Sequence, residues 1–281
     1  MLGPRSLSAS VELCSFRTPT LPPATHTNSY ALGSREVILV EPATPYDSER
    51  RAFLEWARAL HSSGRRLKAI FVTHHHKDHV GGAAFLAREL ALPLWMHAET
   101  EARLPLTADR LLVDGEHLDL EGPMPTRWQV LHTPGHAPGH LCLYSAQTRE
   151  TVVGDMLAGK GTILIPPASS DGDMTAYLEQ LKRLEQLDAF VAYAAHGEPI
   201  EKPEKLCRAY TAHRHSREAR ILDVLTIAPG RTATELVPTV YGDVPFASRP
   251  FARMSLLAHL EKLEREGRVL ADGGGEDARY T

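Results

Sequence analysis

A run of seven residues, Thr73 to His79 (T-H-H-H-K-D-H), limits this chain more tightly than any other feature. It offers three imidazoles and one carboxylate, at His74, His76, Asp78 and His79. Just before it stands K-A-I-F-V-T, residues 68–73, an apolar, β-branched run that predicts a buried strand. The cluster therefore falls in the loop at a strand's C-terminal end, and Gly81-Gly82 behind it opens a helix carrying Phe85, Leu86 and Leu90. Imidazole with carboxylate suits Zn2+, and Fe or Mn less selectively. A solvated polar loop uses the same residue types, but not this spacing, placement and following turn together.

Four ligands do not close a site for two ions, so later strand ends should supply more. His136 follows a strand at 128–132, Asp155 follows one at 151–154, and His196 follows one at 189–195. Each alone reads as a turn residue; three in series after apolar strands read as ligands. Further strands are expected at 36–41, 94–97 and 141–144, and helices at 48–63, capped by Ser48, and from Asp173 through Leu184. Residues 1–27, rich in Pro, Ser and Thr, read as irregular structure with one early strand. This alternation is that of a layered α/β sandwich. From about Leu206 the texture changes to helices near 206–225, 232–240 and 250–266. A glycine-rich tail, 268–281, then forms a hairpin, which is a winged-helix outline.

The ordered set His74-x-His76-x-Asp78-His79, His136, Asp155 and His196 resembles the metallo-β-lactamase superfamily. Within it the chain is most similar to the β-lactamase-like protein 2 group. That likeness rests on His213-Arg214, Arg217-Glu218 and the stretch Leu256 to Arg268 (L-L-A-H-L-E-K-L-E-R-E-G-R). The resemblance implies a four-layer αββα sandwich over residues 1–205 and a small winged-helix-like C-terminal domain over 206–281. It implies two Zn2+ per chain, with Fe or Mn as alternatives. One ion would be held by His74, His76 and His136 and the other by Asp78, His79 and His196, with Asp155 bridging. A hydroxide between the ions would attack an electrophilic carbonyl or phosphorus, and Asp78 and Asp155 would offset the ions' mutual repulsion. The chain departs from the group's pattern at Ala194-Ala195, before His196-Gly197, and at Glu41-Pro42, where many relatives have Asp. Both departures are expected to reshape loops and leave metal binding intact.

His75 and Lys77 alternate with ligands and read as solvated. His132 and His140 read equally as hydrogen-bond partners of ligands or as structural polar residues. His97, His117 and His259 read as surface or core histidines, and Cys142 as an inert core thiol. Lys160, Thr162 and His213 are the candidates for substrate contact. Lys160 and Thr162 follow Asp155 in a loop, and His213 lies on the long helix, from which His215 diverges.

A winged helix raises the question of nucleic acid. Residues 206–281 hold eleven Lys and Arg against ten Asp and Glu, with Glu261, Glu264 and Glu266 crowded on one helix. Duplex binders show a clear basic excess, so packing or a homodimer contact fits this domain better. Arg208, Arg214, Arg217 and Arg220 form either an anionic-substrate patch or a solvated face. Three functions stay open: hydrolysis of an ester or thioester of a small molecule or acyl carrier; single-strand endoribonuclease activity, with RNA as partner; and a binding or regulatory role with a vestigial metal site. Three dispersed cysteines exclude a disulfide framework. With no export signal and no membrane span in view, a cytoplasmic protein is expected.

Overall fold

A computed structural model describes residues 2–275 and 278–281. The chain forms two compact units. The first comprises 1–133, 139–161 and 188–203; the second comprises 134–138, 162–187 and 204–281.

The first unit is built on two sheets. One has seven strands in sequence order: β1 (Leu2–Ser6), β2 (Val11–Arg17), β3 (His26–Leu32), β4 (Glu36–Val40), β5 (Arg66–Phe71), β6 (Leu94–Met96) and β7 (Arg110–Leu111). The other has six: β8 (His117–Leu120), β9 (Thr126–His132), β10 (Leu141–Ser145), β11 (Glu150–Gly154), β12 (Val191–Ala194) and β13 (Ile200–Glu201). Side chains alternate across a strand, and β4 uses both faces. Ile38 and Val40 enter the core between the sheets, with Tyr30, Phe71, Trp128, Leu143 and Tyr193. Val37 and Leu39 enter the opposite core, under the helices α1 (Asp47–Ser62) and α3 (Ala83–Leu90). A strand covered on both sides has no polar phase, which is why V-I-L-V, after Glu36, reads as an unbroken apolar run.

The N-terminal stretch is more ordered than expected. It holds β1, β2 and the start of β3 rather than a single strand. The signal lies in β2, where Val11 and Leu13 serve the inter-sheet core while Cys14 and Phe16 serve the helix-facing one. The start of α1 also differs. Tyr46 occupies the N-cap with no side-chain cap, and Ser48 is already inside the helix. Asp47 and Glu49 in the first turn complement the helix dipole instead, and Glu49 also accepts the Arg17 N–H at 3.0 Å. All three cysteines are buried as thiols.

The second unit holds α5 (Met174–Glu185), the long helix α6 (Pro203–Ile227), α7 (Ala233–Val240) and α8 (Arg249–Arg265). It also holds a small sheet of β14 (Arg231–Thr232), β16 (Arg279–Tyr280) and β15 (Ala271–Asp272), paired in that order. Asp173 caps α5 as expected, accepting from the Thr175 and Ala176 N–H groups. Thr232 and Glu235 form a capping box at α7. Ile221, Leu236, Leu256, Leu260, Leu263 and Tyr280 share one core. The tail hairpin is present as the antiparallel pair β15 and β16; residues 276 and 277 lie outside the described residues. Among the described residues no helix is long and apolar enough to cross a membrane.

The arginines of α6 divide: Arg208 and Arg220 are exposed, as in the solvated face read from the sequence. Arg214 and Arg217 are buried. Arg217 donates to Asp243 at 2.6 and 2.8 Å and to the Val240 carbonyl at 2.7 Å, which fixes the end of α7. Arg220 also reaches Asp243 and Arg208 pairs with Glu185, so all four act within the unit. Deeper in, Glu218 accepts from His259 Nδ1 at 3.3 Å and from Lys262 at 3.1 Å. Burial drives the His259 pKa down to about 4, against the pull of Glu218. Burial favours protonated Glu218, but the bonds from His259 and Lys262 hold its carboxyl below the ordinary range. Both folded-state values lie below the unfolded ones, so both contributions are complete above the unfolded pKa and are lost as pH falls. For His259 the loss begins near the ordinary histidine pKa of about 6.5 and runs down to about 4, a change on the order of 3 kcal/mol. Urea midpoints for the wild type should therefore fall between pH 7 and pH 4, as read by circular dichroism. A His259→Gln variant should show a shallower fall over the same range.

Candidate metal centre

The site of the first unit is made at strand ends, where backbone leaves the sheet and side chains gather over its edge. After β5 the chain continues through Thr73, His74 and His76 into the single turn α2 (Lys77–Val80), which carries Asp78 and His79. Asp155 follows β11 and His196 follows β12. His74, His79, Asp155 and His196 are buried, and Asp78 is partly so.

Hydrogen bonds set the direction in which each ring offers its lone pair. Thr73 donates its hydroxyl proton to Glu41 Oε1 at 2.7 Å, so its oxygen receives His74 Nδ1–H at 2.9 Å. His74 Nε2 is then the lone-pair nitrogen, and it lies 3.0 Å from His76 Nδ1. His79 Nδ1–H donates to the same Glu41 oxygen at 3.1 Å, and His196 Nδ1–H donates to the His26 carbonyl at 3.0 Å. The two remaining nitrogens face carboxylates. His79 Nε2 is 3.4 Å from Asp155 Oδ2 and 3.7 Å from Asp78 Oδ2. His196 Nε2 is 3.4 Å from Asp155 Oδ1 and 3.6 Å from Asp78 Oδ2.

A lone pair aimed at a carboxylate oxygen is repulsive unless a proton or a metal cation lies between them. The electrostatics carry the same demand. Burial disfavours a charged His79, yet Asp155, Glu41 and Asp78 outweigh it and hold its pKa well above the ordinary value. Burial likewise opposes the Asp155 carboxylate, and His196 and His79 outweigh it to hold that pKa well below the carboxylate range. Burial lowers and Asp155 raises the His196 pKa, with a net rise. A divalent metal ion meets this demand with the donor types zinc prefers. Among the described residues of this unit, two groups of donors could hold an ion: Asp78 with His79 and His196, and Glu41 with His74 and His79.

The supporting shell includes residues that the sequence reading passed over. Glu41 was expected only to reshape a loop. It is buried at the end of β4 in a left-handed conformation, φ 61°, and holds the rings of His74 (through Thr73) and His79. Left-handed backbone is costly for a residue with a side chain and persists where surroundings impose it. Its departure from Asp was the available signal. His140 Nε2 accepts the Asp155 N–H at 3.1 Å, and His140 Nδ1–H donates to Thr133 at 2.8 Å. His140 therefore positions a candidate ligand. Gly154 lies at φ 47°, and a Cβ there would stand 2.6 Å from His140 Nε2, so only glycine fits. Ala194 and Ala195, the other departure, present carbonyls that Asn28 and Tyr30 hold, so the His196 loop is anchored through its backbone. Gly159 N–H also bonds the His196 carbonyl, at 2.7 Å, and Gly197 packs its backbone directly on Gly159 and Lys160.

The remaining sequence candidates lie as follows. Lys160 is exposed on the loop fixed to His196. His97 stacks on His132 with ring centroids 4.1 Å apart. His136 and Thr162 belong to the second unit, with His136 Nδ1–H donating to the Leu164 carbonyl at 2.9 Å. His213 is exposed on α6.

The family profile described as "Metallo-beta-lactamase superfamily" matches residues 22–196, and that of the "Beta-lactamase associated winged helix domain" matches 232–277. The chain is similar to the Beta-lactamase-like protein 2 homolog of Drosophila melanogaster, 28% identical and covering 91% of this chain and 88% of that protein. It is also similar to the Atrochrysone carboxyl ACP thioesterase of Passalora fulva, 27% identical and covering 86% and 72%. Among solved structures, a metallo-beta-lactamase family protein from Thermus thermophilus superposes with a TM-score of 0.80. It is 29% identical, with 98% of this chain and 99% of that one covered. The chain therefore belongs to the metallo-beta-lactamase superfamily, and as an enzyme it stands with that superfamily's metal-dependent hydrolases.

Removing the carboxylate that holds two rings should weaken metal binding. We expect Glu41→Gln to lower metal affinity by about 10- to 100-fold, the usual effect of losing a partner of a ligating imidazole. Competition with a chromophoric chelator measures this, and unchanged affinity in the folded variant would show that Glu41 does not orient the rings.

Proposed function

We propose that the chain is a dinuclear zinc hydrolase acting on an ester or thioester. One observation carries the reading. His79 Nε2 and His196 Nε2 converge on Asp78 and Asp155, in a chain alike over most of its length to a protein described as an acyl-carrier thioesterase. We assign one ion to His74, His76 and His136 and the other to Asp78, His79 and His196, with Asp155 shared. Two zinc ions, when bound, supply Lewis acidity toward a carbonyl oxygen and bring the pKa of water from about 15.7 toward about 7.

The protein's own part is orientation and charge. Glu41, Thr73 and the His26 carbonyl keep the Nδ1 protons of His74, His79 and His196 occupied, so each ring presents Nε2. Asp78 and Asp155 carry the negative charge that offsets the two cations. Lys160, on backbone bonded to His196 through Gly159, is assigned to an acidic portion of the substrate, such as the phosphate of an acyl carrier arm. Thr162 and His213 are assigned as further substrate contacts.

Two experiments test this reading. Zinc-loaded protein should release thiol from acyl-CoA, and Asp78→Ala, prepared identically, should not. Cleavage of labelled single-stranded RNA without thiol release would replace the proposal with an endoribonuclease. For the site itself, metal analysis should find about two ions per chain, and Asp155→Ala should lose most of that metal while its circular dichroism stays native. Full retention would overturn the shared-ligand assignment.

A further inference from the structure

Within the second unit, the loop that faces the His136 ring is held by the C-terminal helices. His136 Nδ1–H donates to the Leu164 carbonyl at 2.9 Å. A carbonyl only accepts, so this bond places the proton on Nδ1 and the lone pair on Nε2. One residue earlier in the loop, the Ile163 carbonyl accepts from Arg214 Nη2 of α6. Arg214 has little room to move. It is 3% exposed, its guanidinium lies over the Tyr177 ring of α5 with 5.6 Å to the centroid, and Nη1 reaches Ser255 of α8 at 3.4 Å.

The same segment is tied at two more points. Glu261 of α8 accepts the Ala168 N–H at 2.9 Å, and Arg265 donates to both oxygens of Asp173, at 2.8 and 2.9 Å. The Asp173 N–H in turn bonds the Gly135 carbonyl at 2.8 Å, next to His136. The segments flanking the ring, 134–138 and 162–173, thus hang from three side chains of the winged-helix part. Of these, Arg214 is the buried one nearest Leu164.

We propose that Arg214 is a positioning residue for His136, which it orients by fixing the Ile163–Leu164 carbonyls. Through it the C-terminal helices contribute to metal binding. This rests on the assignment of His136 as a ligand made above. A guanidinium suits the task because its planar fork can hold a carbonyl and a hydroxyl while stacking on an aromatic ring. A lysine can make the carbonyl bond but cannot stack in the same way.

The test uses full-length protein titrated with zinc against a chromophoric chelator, together with the visible spectrum of the cobalt-loaded form. His136→Ala identifies which of the two metal affinities depends on that ring. Arg214→Met should then lower the same affinity by about 10-fold or more and leave the other unchanged. It should also alter the cobalt spectrum, and Arg214→Lys should recover part of the loss. Combined with His136→Ala, Arg214→Met should add little, because the ring it orients is gone. Should Arg214→Met fail to fold, Arg214→Lys alone decides, by a smaller loss confined to the same affinity. If His136→Ala lowers one affinity while the Arg214 variants lower neither, or lower both alike, the Arg214 link is overturned and the ligand assignment stands. If His136→Ala itself changes neither affinity, the assignment falls and takes the link with it.

Discussion

A buried imidazole has two nitrogens and, when neutral, one proton, so whatever binds one nitrogen decides what the other can do. That constraint organises the first unit. Glu41 receives the Thr73 hydroxyl and the His79 ring through one oxygen, and Thr73 passes the same constraint to His74. One carboxylate thus governs two rings that the family resemblance assigns to different ions. Its second oxygen, Oε2, is buried with no hydrogen-bond partner among the described residues. An acidic group so placed costs the fold stability in the absence of a cation. The left-handed backbone at Glu41 adds to that cost, which is consistent with a residue kept for the site rather than for packing.

The strands that lead to the candidate ligands were legible because each carries a short apolar stretch, buried throughout in β11 and over the last three residues of β5 and β12. The first cluster was legible because its candidate ligands are close in sequence. What lay hidden depended on contacts between distant segments. Nothing around Glu41 or Thr73 announces their shared hydrogen bonds, which join the ends of β4 and β5. For His140, read from the sequence equally as a hydrogen-bond partner of a ligand or a structural polar residue, a single bond to the Asp155 backbone decides between the two. The strands in residues 1–27 were obscured because Pro, Ser and Thr mask an alternation only a few residues long. The arginines of α6 looked like a patch because helix facing is hard to judge when the whole helix is mixed. Burial of Arg214 and Arg217 against carbonyls and Asp243 takes them out of any surface patch.

The near balance of charge in residues 206–281 also takes on a local meaning. Its acids and bases are largely matched inside the unit: Glu218 with His259 and Lys262, Asp243 with Arg217 and Arg220, and Asp173 with Arg265. A winged helix that spends its cations this way retains few for a phosphate backbone. Of these cations, Arg265 also ties down the 162–173 segment, through Asp173.

The contact between Gly159 and Gly197 has a consequence for how such an enzyme changes over time. A Cβ on Gly159 would stand 2.2 Å from the Glu198 carbonyl oxygen, and Gly197 adopts φ 89° with its own Cβ position 2.8 Å from Gly159. The two loops therefore move as one piece, and His196 belongs to that piece. Mutations that reshape the Lys160 loop act at the same moment on the hold over His196, a candidate ligand. Adaptation by this route is constrained to small steps, and larger changes in specificity have their readiest path through loops not tied to a ligand.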